Sequence, residues 1–149
     1  MSVKEQRDLR EQLSVLRGRL LVMCQLAGDS VALARKAVEN NDAALARRII
    51  NDDALIDRLE DEIDGAALAI LALHQPVARA LRFVVGALRM VIDLERIGDE
   101  AVLIAESILF RLEESGAPFR AMPETMALFG EAQAAFTLAI NALRNESAA

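Results

Sequence analysis

Apolar residues along the chain fall into four rows spaced by threes and fours, and each row predicts an amphipathic helix. Ser2, with Glu5 three residues later, forms a capping box. From there Leu9, Leu13, Leu16, Leu20, Met23, Ala27, Ser30 and Ala34 trace one face of a first helix over residues 3–39. At about 1.5 Å per residue that helix is about 55 Å long. Asn40, Asn41 and Asp42 break it, and Asp42 is placed to cap the next helix. Leu45, Ile49, Ile56, Leu59, Ile63, Ala66, Ile70 and Leu73 form a second seam, which Gln75-Pro76 ends. Pro76 suits the first turn of a third helix. That helix carries Leu81, Leu88, Val102 and Leu109 in one row of seven, and Val85 and Ile92 in the neighbouring row, until Gly116 and Pro118 stop it. A fourth helix begins at Pro123-Glu124, with Met126, Phe129, Phe136, Ile140 and Leu143 on one face.

Long helices joined by tight turns imply an all-α fold: an antiparallel three-helix bundle with an extra C-terminal amphipathic helix. The expected organisation is a bundle over residues 1–115, a linker at 116–123, and the additional helix with a frayed tail over 124–149.

Composition narrows the class. The chain has 149 residues, enough for one core, and its aromatic content of 3% against a hydrophobic content of 54% favours helix over sheet. A net charge of -6 argues against nucleic acid as a partner. Cys24 is the single cysteine, expected as a small buried hydrophobe, and the first twenty residues lack the apolar core of a signal peptide. The longest uninterrupted apolar stretch, Gly65 to Leu73, is about half of the roughly 20 residues a bilayer requires, so no transmembrane segment and a cytoplasmic location are expected.

Candidate chemistry lies among the carboxylates. Acidic pairs four residues apart occur at Asp53/Asp57, Asp57/Asp61, Glu60/Asp64 and Glu95/Asp99. Random placement gives about 3.5 such pairs, so the count identifies nothing and position must decide. Glu95 falls in the row of Leu81, Leu88, Val102 and Leu109, and Asp99 in the row of Val85 and Ile92, where the repeat calls for apolar side chains. A carboxylate turned into such a seam is costly unless protonated, paired or metal-bound.

Two readings stand side by side. In the first, Arg82, Arg89 and Arg96, one step round the helix, pair with these acids in an ionic stripe, and the protein is a helical scaffold without a metal role. In the second, Asp53/Asp57 and Glu95/Asp99 face each other across an antiparallel pair. Asp53 and Asp57 precede Gln75 by 22 and 18 residues, and Glu95 and Asp99 follow it by 20 and 24. Their heights therefore match within about one turn of 3.6 residues. An oxygen-only site suits magnesium, calcium, manganese or iron, while zinc would recruit Cys or His. A di-iron oxidase would need Glu-x-x-His on two helices, and the single His74 has Leu71 three residues before it. His74 reads as a ring at a helix C-terminus, and Gly65, Gly86 and Gly98 as points of close helix approach. No nucleophile, phosphate-loop or redox motif is present, so no enzymatic activity is expected.

The segments Asn51-Asp52-Asp53-Ala54-Leu55-Ile56-Asp57, Leu71-Ala72-Leu73-His74-Gln75-Pro76-Val77-Ala78-Arg79-Ala80-Leu81-Arg82 and Asp93-Leu94-Glu95-Arg96-Ile97-Gly98-Asp99-Glu100-Ala101 closely resemble the PhoU family of phosphate-specific transport regulators. The resemblance spans about residues 5 to 110. It implies three-helix repeats carrying acidic E(D)-x-x-x-D motifs on two helices, where multinuclear metal clusters bind; Asp53, Asp57, Glu95 and Asp99 match those motifs. It also implies a cytoplasmic adaptor between a phosphate transporter ATPase and a sensor histidine kinase that dampens the phosphate-starvation response. Two positions depart from the pattern: Ala80 stands where the family has Asp, and Glu100 where it has His. Family members carry two repeats, and this sequence shows one repeat and what reads as the first helix of another. The apolar stripe of that helix needs cover, so a homodimer held partly by Phe129 and Phe136 is expected.

Overall fold

A computed structural model describes residues 2–118 and 120–145; of the tail expected to fray, 145–149, Asn145 closes the last helix and the rest lies outside the described residues. Five helices follow in order: α1 (Val3–Asn40), α2 (Ala43–Asp52), α3 (Ala54–His74), α4 (Ala78–Glu113) and α5 (Pro123–Asn145), with no strand among the described residues. The capping box at the start of α1 is formed: Glu5 N–H donates to Ser2 Oγ and Ser2 N–H donates to the Glu5 carboxylate. α1 stops because Asn41 turns left-handed (φ 52°), its N–H donating to Ala37 O. The Asp42 carboxylate then accepts from Ala44 and Leu45 N–H at 2.9 and 3.0 Å, capping α2.

The seam expected as one second helix is two. Asp53 closes α2 with its N–H on Ile49 O, and its own carbonyl accepts from both Ile56 N–H at 2.8 Å and Asp57 N–H at 3.2 Å. The i to i+3 bond tightens the turn just after Asn51-Asp52-Asp53, side chains that compete with the helical ladder for backbone bonds. Apolar periodicity runs through this point, which is why the break is silent in the pattern. α4 also begins two residues later than Pro76 suggests. Gln75 adopts φ 46°, Val77 is extended as the N-cap, and the helix starts at Ala78, itself at φ 49°.

The core lies between α1, α3 and α4. Leu16, Leu20, Met23, Ile56, Ile63, Ile70, Val84 and Val91 are each exposed by no more than 1%. A second cluster joins α1, α2 and the end of α4 through Ala37, Ala46, Ile49, Ala105 and Ile108. On α4 the buried stripe is Val84, Ala87, Val91, Leu94, Gly98, Ala101, Ala105 and Ile108, not the rows of larger side chains, for Leu81, Val85 and Ile92 are exposed. The correction moves Glu95 and Asp99 from the seam to its flank: Glu95 is half-buried and Asp99 exposed.

α5 folds back along α1. Phe136 and Ile140 pack on the main core, Met126 and Phe129 on the second cluster, and Leu143 is buried. Its backbone approaches no other helix closely among the described residues. By length and composition alone α5 is also apolar enough to cross a membrane, although polar residues interrupt its apolar run.

Candidate metal centre

The tightened turn at Asp53 sets the site. It brings the start of α3 against α4 at Gly98, which is buried and presents no side chain. A Cβ there would lie 2.9 Å from Asp53 Oδ1 and 3.0 Å from Ile56 Cδ1, so the glycine makes room for that carboxylate. Gly65 and Gly86, also expected at close approaches, meet nothing within 4 Å.

Burial pushes the Asp53 carboxyl above its ordinary range, and the charges of Asp57 and Asp99 push it further. Glu95 is raised in the same way, first by burial, then by the charge and hydrogen bonding of Asp99, with Glu60 and Asp57 adding to it. The four expected carboxylates thus act on one another across α3 and α4. Glu60 joins them: it is half-buried, and burial together with Asp64, Asp61, Asp57 and Asp99 raises it. A spacing of four ties Glu60 to Asp64 instead, although its position three residues after Asp57 places it on the same face of the helix.

Arginine does not offset this charge. Among the described residues no ion pair joins these acids to Arg82, Arg89 or Arg96. The arginines flanking Asp53 and Asp57 are used elsewhere, Arg48 on Asp52 at 3.2 Å and Arg58 donating to Ala54 O at 3.0 Å. The ionic stripe that would make the acids purely structural is absent among the described residues. The carboxylates are spread, however, and among the described residues no group of three acidic, His or Cys side chains is set to hold an ion as it stands. Glu95 shares a hydrogen bond with Asp99, while Asp57 is exposed, with solvent beside it into which like-charge repulsion can turn it. The donor set fits a hard cation in chemistry and charge, and the ion would draw the oxygens together.

His74, at the C-terminus of α3, is 8% exposed with Nε2 3.5 Å from Asp8 Oδ2, too poorly aligned for a hydrogen bond. Cys24 is buried, and its thiol is raised by that burial.

The acids on two adjacent helices, the Gln75-Pro76 turn and the glycine beneath Asp53 all fall within a stretch, residues 20–108, that matches the PhoU domain. The chain belongs to the PhoU family. Asp53, Asp57, Glu95 and Asp99 all lie inside the matched stretch, and α5 lies beyond it. A PhoU homologue of Thermotoga maritima, named as a phosphate-specific transport system accessory protein, is 34% identical over 119 residues, covering 80% of this chain and 51% of the relative. The Rhizobium meliloti homologue is 40% identical over 89 residues (60% and 38%), and that of Aquifex aeolicus 35% over 106 residues (71% and 48%). The chain therefore spans about half the length of the curated relatives it matches.

Proposed function

We propose that this PhoU-family chain is a cytoplasmic, non-enzymatic regulator of phosphate uptake and phosphate-starvation signalling, and that Asp53, Asp57, Glu95 and Asp99 hold hard metal ions in that role. The observation that carries the metal reading is the uncompensated charge across α3 and α4: mutually repelling carboxylates, three of the neighbourhood's acids shifted toward protonation, and no arginine paired with them among the described residues. Magnesium, manganese or iron would supply the missing positive charge there and tie α3 to α4. Support for the phosphate role is family membership and the naming of the relatives as accessory proteins of phosphate-specific transport. The partners on this reading are the transporter ATPase and a sensor histidine kinase.

A homodimer belongs to the same proposal. α5 lies on α1 and leaves two contiguous grooves against α4, of about 380 and 420 Å³, which share Val31, Ile97 and Ala132. Leu128 and Leu138 are exposed on α5 by 66% and 71%. A second copy would cover that surface.

Metal content by elemental analysis before and after chelation, with melting curves in Mn²⁺, Mg²⁺ and Fe²⁺, tests the site. Cation should stabilise the fold by RT ln(1 + [L]/Kd) and so raise the melting temperature, and the double substitution Asp57→Asn with Asp99→Asn should remove the response. A metal-free protein whose melting ignores all three cations, and matches that of the double variant in their presence, would show that the acids are not ligands.

A further inference from the structure

A second polar feature lies roughly 20 Å along α4 from the acids, at about 1.5 Å per residue between Arg82 and Glu95, and has the opposite charge. A cavity of about 410 Å³ opens between the start of α4, α1 and the end of α5. Arg17, Arg79 and Arg82 line it, over a floor that includes Phe83, Met90 and Leu143, and no carboxylate is among its lining residues. In a chain of net charge -6 that is a local reversal of sign.

Arg17 is the informative side chain. Its guanidinium stands over the Phe83 ring, 4.6 Å from the centroid, and its Nη1 is buried without a hydrogen-bond partner. An unsatisfied buried donor on a charged group is uncommon, because such a group is costly to strip of water and leave unpaired. The backbone adds to the same sign. α4 has no side-chain cap at Val77 and no acidic residue in its first turn, so the positive end of its dipole is joined by Arg79 and Arg82 rather than offset by an acid. Ala80, between them, brings no charge of its own. Arg79 has an interaction of its own, which leaves Arg17 and Arg82 as the lining guanidiniums offered to a ligand.

We propose that this cavity binds a phosphomonoester, with its phosphate on Arg17 and Arg82 near the positive end of α4 and its organic body over Phe83, Met90 and Leu143. A dianion answers two guanidiniums and a helix dipole better than a single carboxylate does. The cavity falls in the size range of small-molecule sites, about 300 to 1,000 Å³, and the apolar floor gives the ester's carbon body something to bury against. The site is independent of the acidic residues and of the metal reading.

Calorimetric titration of the full chain at low ionic strength tests it, with phenyl phosphate, inorganic phosphate and phenol as probes. Phenyl phosphate should bind, phenol should give no heat, and inorganic phosphate should bind about tenfold more weakly or less, for want of the apolar contact. Arg17→Met and Arg82→Met should each weaken phenyl phosphate by roughly tenfold or more, as loss of a charge-assisted hydrogen bond does. Arg82 is exposed, so its variant keeps the fold if that of Arg17 does not. Arg89→Met, outside the cavity on the same helix, should leave binding unchanged. The site is refuted if phenyl phosphate gives no heat, if Arg82→Met binds it as well as the parent, or if Arg89→Met loses as much. Equal binding of inorganic phosphate would refute the organic ligand.

Discussion

Two glycines mark where helices of this bundle meet without a side chain between them, and what each faces is different. At Gly98 a Cβ would meet Asp53 and Ile56, both from one turn of α3, at 2.9 and 3.0 Å. At Gly28 it would meet the Phe136 ring of α5 at 3.2 Å. Gly98 and Ile56 are buried, whereas Gly28 and Phe136 are each half-exposed. The first joint is fixed from both sides: the α3 turn is held by three backbone hydrogen bonds through Asp53, and α4 runs past it inside the core. The second is a ring against a helix surface, with solvent on its far side. The family match ends before α5, so the tighter joint lies wholly inside the PhoU domain, whereas the looser one pairs Gly28 inside it with Phe136 beyond it.

Substituting the tighter joint should have the larger effect. Gly98→Ala gains roughly 1 kcal/mol of helix propensity but loses about 2 to 3 kcal/mol to overpacking, the upper part of the usual range, because Asp53 and Ile56 share a backbone turn and cannot both retreat. A net destabilisation of about 1 to 2 kcal/mol in urea unfolding is expected. Since the Cβ displaces Asp53, the stabilisation by Mn²⁺ should shrink in the same variant. An unchanged unfolding midpoint would mean that α3 and α4 are not held at the spacing described.

The next effect is on pH. Asp53, Glu60 and Glu95 all have folded-state values above their ordinary ones. A raised acid binds more protons folded than unfolded, so it costs stability above its folded value, and the cost is relieved as pH falls through that value toward the ordinary one. Lowering the pH from neutral toward the ordinary carboxylate range, about 4, should therefore relieve that cost and raise the melting temperature of metal-free protein at low salt, with Asp53→Asn flattening the rise. Glu5 is lowered, chiefly by the Ser2 backbone N–H, and works in the opposite sense as its cap is lost toward low pH. A melting temperature that falls over this range would show that the acids do not strain the fold.

The joint at Gly98 also explains which parts of the fold were legible in the sequence. The faces of α1 and of α3 as far as Ile70 are read correctly because Leu16, Leu20 and Met23, or Ile56, Ile63 and Ile70, are large, whereas Leu73, expected to continue the seam in the last turn of α3, is exposed. α4 offers two kinds of row. The larger side chains at Leu81, Val85, Leu88 and Ile92 outbid Ala87, Gly98, Ala101 and Ala105, yet the buried stripe alternates these small residues with Val84, Val91, Leu94 and Ile108, and the small ones let neighbouring helices come close. Apolar size misleads where packing selects for closeness. Asp53, Asp57, Glu95 and Asp99 are nonetheless legible as interacting acids, since helix pairing across Gln75 depends on length and not on which face is buried. The break at Asp53 and the cavity beneath Arg17 left no mark in the apolar period. Each depends on a contact between helices.

The smallest effect should come at Gly28, and its sign is what distinguishes the two joints. Alanine in the interior of α1 removes backbone freedom from the unfolded chain, worth roughly 0.5 to 1 kcal/mol in favour of the helix. Against that stands a contact that needs a few tenths of an ångström, from a ring that is half-exposed and can slide outward along α1 without losing a hydrogen bond. The two contributions nearly cancel, so Gly28→Ala should change stability by less than about 1 kcal/mol in either direction. Its informative readout is α5 itself. If the ring yields, amide exchange should quicken in α5 near Phe136 while the α3–α4 core keeps its protection. A loss as large as that of Gly98→Ala would show instead that α5 is fastened to α1 as firmly as α3 is to α4.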